Sequence, residues 1–353
     1  MIQGTYYKEW SSVLNREMEF KVYGSAGVPV LALPARGGRF YDWENNGMPD
    51  AIAQLLNEGK VQLFCADSID GEAVLNGDIP VRCRAEMEEK YFVYLTAELA
   101  PRVLALNEAE KDTKLWCVGI DLGAVHAVNC RLRRPQQFAG AIGLSGIYDL
   151  TRFWGSEAND LVLRASPLQY LTEKGIANKL ALAKAEENSL MLCAGQGAYE
   201  GDALADTQAL ADVLKAKKLP AHVELWGGDV SHEWYWWGKM LGLFVPRILE
   251  KYKLFDRGKA FAVPSLFLFV FFNSLLDLSG LLCYTHAVRR IPPMGKGDIL
   301  WTTRKSPAAV AARPPSPKLP RLRPLTHPLC PPKASPPPAA ATRTAPRRST
   351  RPC

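Results

Sequence analysis

Three segments of this sequence carry side chains that could make a nucleophilic site. Asp121 lies within Gly119-Ile-Asp-Leu-Gly123, Glu200 and Asp202 follow the glycine loop Gly195-Gln-Gly197, and His232 closes Gly227-Gly-Asp-Val-Ser-His232. Asp121 stands where the apolar run Leu115–Ile120 gives way at once to a helical pattern, the layout of a nucleophile elbow. The central residue of such a turn is strained, and its neighbours two before and two after must be small to let strand and helix approach. Gly119 and Gly123 meet that need. A serine at the centre would attack a carbonyl after a histidine removes its proton. An aspartate there gives a mixed anhydride from an ester carbonyl, a poor route for ordinary esters. On saturated carbon it instead gives an ester that a histidine-activated water can cleave. Asp121 also has a structural reading, as a helix-opening residue that accepts backbone N–H bonds and meets the positive end of the dipole.

The remaining polar candidates are weighed beside it. His126, in the helix after the elbow, reads as packed or capped rather than as a second base. Asp202 reads as a solvated loop acid, which ranks Glu200 first. Arg36 and Arg39, in Leu33-Pro-Ala-Arg-Gly-Gly-Arg-Phe40, either bind an anionic substrate group or make a solvated loop face. Asp67 and Asp70 either line a pocket mouth or cap the loop after their strand. Trp234, Trp236 and Trp237 read as packing beneath the His232 loop. There is no H-E-x-x-H, no histidine cluster, no P-loop and no third glycine after Gly195-x-Gly197, so neither metal nor nucleotide cofactor is expected.

The elements that must position these groups follow from hydrophobic patterning. Short apolar runs occur at Phe20–Tyr23, Val28–Leu33, Val61–Ala66, Leu115–Ile120, Ala141–Leu144, Leu190–Ala194 and Val223–Trp226. Such runs suit strands buried on both faces. Helical stretches fall at Pro49–Lys60, Ala203–Lys217 and Trp234–Tyr252. The alternation predicts an α/β fold with a mainly parallel central sheet and helices on both faces.

The marks Met18-Glu-Phe-Lys-Val-Tyr-Gly24, Gly37-Gly-Arg-Phe40, Phe64-Cys-Ala-Asp-Ser-Ile-Asp70, Gly123-Ala-Val-His-Ala-Val-Asn129, Leu144-Ser-Gly-Ile-Tyr-Asp149 and His232-Glu-Trp-Tyr-Trp-Trp237 together identify a resemblance. From Tyr6 to Phe255 the chain resembles the putative-esterase branch of the α/β-hydrolases, which also holds esterase D and S-formylglutathione hydrolase. More closely, it is similar to a group of compact bacterial members of that superfamily. The resemblance implies an α/β-hydrolase fold with a short cap or none. It places Asp121 at the nucleophile position, usually serine, with His232 as base and Glu200 as acid. It gives the Leu122 amide as one oxyanion donor and the loop at Ala35 and Arg36 as the source of the other. Gly37, Gly38, Tyr148 and Trp234 are expected to bind substrate. The function implied is hydrolysis of small esters. Its alternatives are an inactive α/β-hydrolase-fold protein that binds a ligand or partner, and an Asp-nucleophile hydrolase of epoxides or haloalkanes.

Composition bounds the rest. The net charge of +7 is uneven: from His286 onward fourteen Lys and Arg face one acid, Asp298, which leaves residues 1–285 acidic. An acidic domain argues against nucleic acid as its ligand. Cys65, Cys117 and Cys193 fall in strand-like runs and read as reduced core thiols. No secretory signal is visible, and the expected location is cytoplasmic. The organisation expected is a hydrolase domain over 1–255, an apolar segment over 256–285 and a Pro-rich basic disordered tail over 286–353. The stretch 260–284 is long enough to span a bilayer, but Asp277 and Asn273 inside it are costly there, so membrane contact is doubted. The pattern gives no oligomeric state.

Overall fold

The computed structural model describes residues 2–155, 159–172 and 190–259. Eight strands form one sheet: β1 (Thr5–Ser11), β2 (Arg16–Tyr23), β3 (Val28–Leu33), β4 (Val61–Ala66), β5 (Leu115–Ile120), β6 (Phe138–Leu144), β7 (Leu190–Ala194) and β8 (His222–Leu225). Their spatial order is β1-β2-β4-β3-β5-β6-β7-β8. β1 pairs antiparallel with β2, and β2 antiparallel with β4; every other pairing is parallel. The carboxyl ends of β3 to β8 therefore share one edge of the sheet, where α/β folds gather their sites.

Strands β3, β4, β5 and β7 have the bounds that their apolar runs predict, because neighbours and helices bury them on both faces. Alternation still sorts their side chains. Leu31, Leu33, Leu115 and Cys117 join one core cluster, whereas Val30, Ala32, Trp116, Val118 and Ile120 join the other. The first cluster packs against the helices Val81–Val93, Ala100–Leu106 and Leu122–Arg133. The second packs against Met240, Leu241, Phe244, Val245 and Ile248 of the helix Trp234–Lys259. The elbow helix Leu122–Arg133 is buried at every position from Leu122 to Leu132, as a helix apolar around most of its circumference should be.

Three local expectations are corrected. The stretch Pro49–Lys60 is two short helices, Met48–Ala51 and Ala53–Asn57, broken at Ile52 (φ −123°, ψ 23°). The last helix runs on to Lys259, beyond the expected end at Tyr252. The edge strand β1 has no counterpart among the predicted runs; with one partner only, it alternates exposed and half-buried residues. The short helices Thr151–Trp154, Asp160–Ala165 and Pro167–Tyr170 follow β6. Among the described residues no helix is long and apolar enough to cross a membrane. The expectations for 260–284 and for the tail from 286 lie outside the described residues.

Candidate active site

Asp121 sits between β5 and the elbow helix with φ 53° and ψ −116°, a conformation that costs a non-glycine residue about 1–3 kcal/mol. The flanking glycines make the turn sterically possible. A Cβ on Gly119 would lie 2.0 Å from the Gly123 carbonyl oxygen, and one on Gly123 would lie 2.3 Å from that of Pro34. The backbone is tied down by the Asp121 amide donating to the Leu144 carbonyl (3.0 Å) and by the Ile147 amide donating to the Asp121 carbonyl (3.3 Å).

The Asp121 side chain does not cap its helix, contrary to the structural reading of the sequence. A capping side chain usually starts from β-region backbone, and Asp121 is far from it. It turns instead to the loop after β3. The Arg36 amide and Nε both donate to Oδ2 at 3.2 Å, while Nη2 donates to Oδ1 at 3.1 Å. Asp121 is nearly buried, and the Arg36 side chain is 43% exposed. The guanidinium carbon also lies 5.3 Å from the centre of the Phe153 ring. Arg39, by contrast, is spent on Glu19 and Asp67.

His232 arrives on the loop after β8, its amide donating to the Ala198 carbonyl at 2.9 Å, so that the loops after β7 and β8 are joined. Its Nε2 stands 3.9 Å from Asp121 Oδ1, and its Nδ1 stands 3.5 Å from Glu200 Oε2. These spacings are longer than hydrogen bonds, a common state for catalytic groups without substrate. Neither Nδ1 nor Oε2 has a hydrogen-bond partner. Glu200 is wholly buried, and its other oxygen accepts from Ser145 Oγ at 2.5 Å. Trp237 Nε1 in turn donates to Ser145 Oγ at 2.9 Å, and the Trp237 ring meets the His232 imidazole edge-on at 4.9 Å. Ser145 and Trp237 thus set the Glu200 carboxylate and the imidazole plane. No sequence spacing marks either role, because Ser145 lies 55 residues from Glu200 and 92 from Trp237.

The other expected residues divide. Leu122 opens the elbow helix next to Asp121. The Ala35 carbonyl accepts from the Gly38 amide at 2.8 Å, closing the tight turn that presents the Arg36 amide. Gly37 (φ 65°) gives its amide to Asp70 Oδ2 at 3.2 Å. Gly38 lies in the same turn, where a Cβ would meet the Ala35 carbonyl oxygen at 2.8 Å. Trp234 is half-buried and stands edge-on to Trp237, with ring centres 5.2 Å apart. Tyr148 has no exposed surface and lies in the core, its hydroxyl against Gly143 and Gly146, so it is not placed on an open face. Asp202 is exposed and pairs with Arg152, as a solvated loop acid should. Asp67 accepts from Arg39 Nε and the Phe40 amide; burial raises its pKa despite Arg39. Burial also pushes the Cys117 and Cys193 thiols up, away from thiolate chemistry.

One buried constellation was not legible in the sequence. His126 places Nε2 3.1 Å from Asp70 Oδ1 and Nδ1 3.1 Å from Glu88 Oε1, and all three residues are buried. Burial alone would push the imidazole pKa down, but Glu88 and Asp70 outweigh it and hold it well above the ordinary value. These three are the group among the described residues with ligand types close enough to hold a metal ion. Each ring nitrogen already faces a carboxylate, so the arrangement fits a bridging imidazolium better than a metal ligand. Through Asp70 it reaches Gly37 and hence the loop that grips Asp121.

Residues 11–247 match the model of the family Esterase, described as putative esterase. No curated protein sequence matches the chain. Among solved structures it is similar to a ferulic acid esterase (15% identity, TM-score 0.54, covering 70% of this chain and 97% of that one). It is similar as well to an S-formylglutathione hydrolase from Agrobacterium tumefaciens (12%, 0.54, 70% and 95%). A third is MPT51 of Mycobacterium tuberculosis (14%, 0.54, 71% and 99%). At these identities the likeness speaks for the fold: a mostly parallel eight-stranded α/β-hydrolase sheet.

Proposed function

We propose that this chain, which belongs to the Esterase family of esterase-type hydrolases, cleaves small esters or related alkyl compounds with Asp121 as nucleophile, His232 as base and Glu200 as its orienting acid. The observation that carries the reading is the division of labour between the two Asp121 oxygens. Oδ2 rests on the Arg36 backbone amide, whereas Oδ1 accepts from Arg36 Nη2 and is the oxygen that faces His232. If Oδ1 attacks substrate carbon, the covalent product keeps Oδ2 as its carbonyl oxygen, already against the donor that an oxyanion needs. Water deprotonated by His232 then adds to Asp121 Cγ. Negative charge develops on Oδ2, where the Arg36 amide, joined by that of Leu122, stabilises it. Collapse restores the Asp121 carboxylate and releases the alcohol.

This placement favours attack on saturated carbon over attack on an ester carbonyl. A substrate carbonyl oxygen would need the donor that Oδ2 occupies, and the resulting anhydride lies uphill of an ordinary ester. Displacement at an alkyl carbon instead exchanges one carboxylate for another leaving anion.

A second reading, a ligand-binding protein without turnover, is supported by the Arg36 fork, which neutralises Asp121 and holds both its oxygens. A screen of activated alkyl and acyl esters, haloalkanes and epoxides separates the two. The hydrolase reading expects turnover that Asp121→Asn abolishes and His232→Ala stalls at a covalent adduct. Wild type inert toward every class, or activity indifferent to Asp121→Asn, would overturn it.

A further inference from the structure

Arg36 carries more than an oxyanion donor. Its backbone amide, Nε and Nη2 all converge on one carboxylate, and the guanidinium makes a two-pronged contact with the two oxygens of Asp121. That fork is the geometry by which arginine selects planar carboxylates over point anions. The Phe153 ring beneath the cation gives the subsite an apolar wall. The outer part of the side chain is open to solvent, whereas the carboxylate it holds is almost wholly buried. Nearby acids are committed elsewhere: Glu200 to Ser145 and His232, Asp70 to His126 and Gly37, Asp149 to Thr151 and Gln169. Among the described residues, the acidic partner of Arg36 is Asp121.

We propose that the Arg36 guanidinium forms a carboxylate-binding subsite, filled in the resting protein by Asp121 and during turnover by a carboxylate leaving the substrate. The turnover half rests on Asp121 acting as nucleophile; the binding half does not. When Oδ1 displaces a carboxylate from an alkyl carbon, the new C–O bond to Asp121 forms as the old one breaks, and the electron pair leaves with the departing carboxylate. Asp121 thereby loses its charge and Arg36 is left without a counter-ion beside an apolar ring. The released anion has the shape and charge of the one just consumed, and it restores the pair. Water, deprotonated by His232, adds to Cγ, and the bond from Cγ to the alkyl-bearing oxygen then breaks. The alcohol leaves with the proton held by His232, and the regenerated Asp121 carboxylate competes for the fork and displaces the bound anion. The site therefore suits alkyl esters of small, planar carboxylic acids, and a leaving group that departs neutral gains nothing from it.

The test reads equilibrium binding on the full chain and needs no turnover. Benzoate, with benzamide as its neutral counterpart, is titrated by calorimetry at fixed ionic strength into wild type, Asp121→Ser, and Asp121→Ser combined with Arg36→Gln. Removing the internal carboxylate is expected to tighten benzoate binding by about tenfold or more, and removing the fork is expected to abolish that gain. Benzamide should not distinguish the three proteins. Asp121→Ala provides a second background should the serine variant fold poorly, and Arg36→Lys should recover only part of the affinity because a point charge cannot fork. Equal benzoate affinity in the single and double variants, or no tightening when Asp121 is removed, would overturn the subsite. A protein that binds benzoate through Arg36 yet turns over no substrate would overturn the nucleophile reading alone.

Discussion

Replacing His126 by glutamine should destabilise the fold strongly, although residue 126 lies outside the Asp121, His232 and Glu200 group. In the native protein the imidazole gives each ring nitrogen to a different carboxylate at 3.1 Å, and Asp70, Glu88 and His126 are all buried. A glutamine amide can reach one of those carboxylates but not both. Asp70 would keep the Gly37 amide on its second oxygen, whereas Glu88 Oε2 has no hydrogen-bond partner even now. The variant therefore leaves a buried carboxylate pair without its cation, a change that typically costs about 3–5 kcal/mol. The pH dependence has a definite sign. The folded pKa of His126 is raised well above its ordinary value, burial being outweighed by Glu88 and Asp70. A raised histidine contributes stability that is fully present below about pH 6.5, the unfolded value, and is lost as pH rises through the folded pKa. Across that window wild type should lose about 1.4 kcal/mol per pH unit from this group. Urea unfolding of wild type and His126→Gln from pH 6 to 9 measures both effects. A gap of several kcal/mol that narrows with rising pH is expected; a variant as stable as wild type, or a gap indifferent to pH, would refute the imidazolium bridge.

Other perturbations probe the elbow and its supports. Gly119→Ala should lower stability by about 1–3 kcal/mol or prevent folding, because its Cβ would meet backbone atoms that cannot swing aside; thermal unfolding beside a Gly77→Ala control, where nothing lies within 4 Å, would show it. Ser145→Ala removes the hydroxyl between Trp237 and Glu200 and should cost about 1–3 kcal/mol for the buried oxygen left unpaired. It should also reduce kcat more than KM, and unchanged kcat would remove Ser145 from the positioning chain. Asp121→Ser should create hydrolysis of short p-nitrophenyl esters that disappears when combined with His232→Ala, since triad members act as a unit. Ester hydrolysis that survives loss of His232 would mean the inherited base is not in use.

How far the sequence could be read depended on what each residue faces. Runs such as Val61–Ala66 and Leu115–Ile120 are buried on both sides, so their apolar character alone marked both ends correctly. β2, β6 and β8 begin earlier than predicted, at Arg16, Phe138 and His222; the first residues of β2 and β8 are polar and partly exposed, so apolar character does not mark them. The helix Val81–Val93 was not singled out, and its core face explains why: Arg84 and Glu88 are buried among apolar neighbours and blur the periodicity. The elbow was legible because glycines at 119 and 123 are demanded by local geometry. The partnership of Arg36 with Asp121 was not, since 85 residues separate them and only the closing of the β3 loop over β5 brings them together. The same holds for Asp70, Glu88 and His126, whose side chains come from a loop and two helices and leave no spacing to recognise.

The central claim is that Asp121 forms a covalent intermediate and that water attacks its own Cγ. Single-turnover reaction in ¹⁸O-enriched water, with enzyme in excess over an activated alkyl ester, followed by mass analysis of the peptide containing Asp121, tests it directly. The account predicts one ¹⁸O atom incorporated into the Asp121 carboxylate and an alcohol product free of solvent label. Label found only in the product, with the Asp121 peptide unchanged, would contradict it.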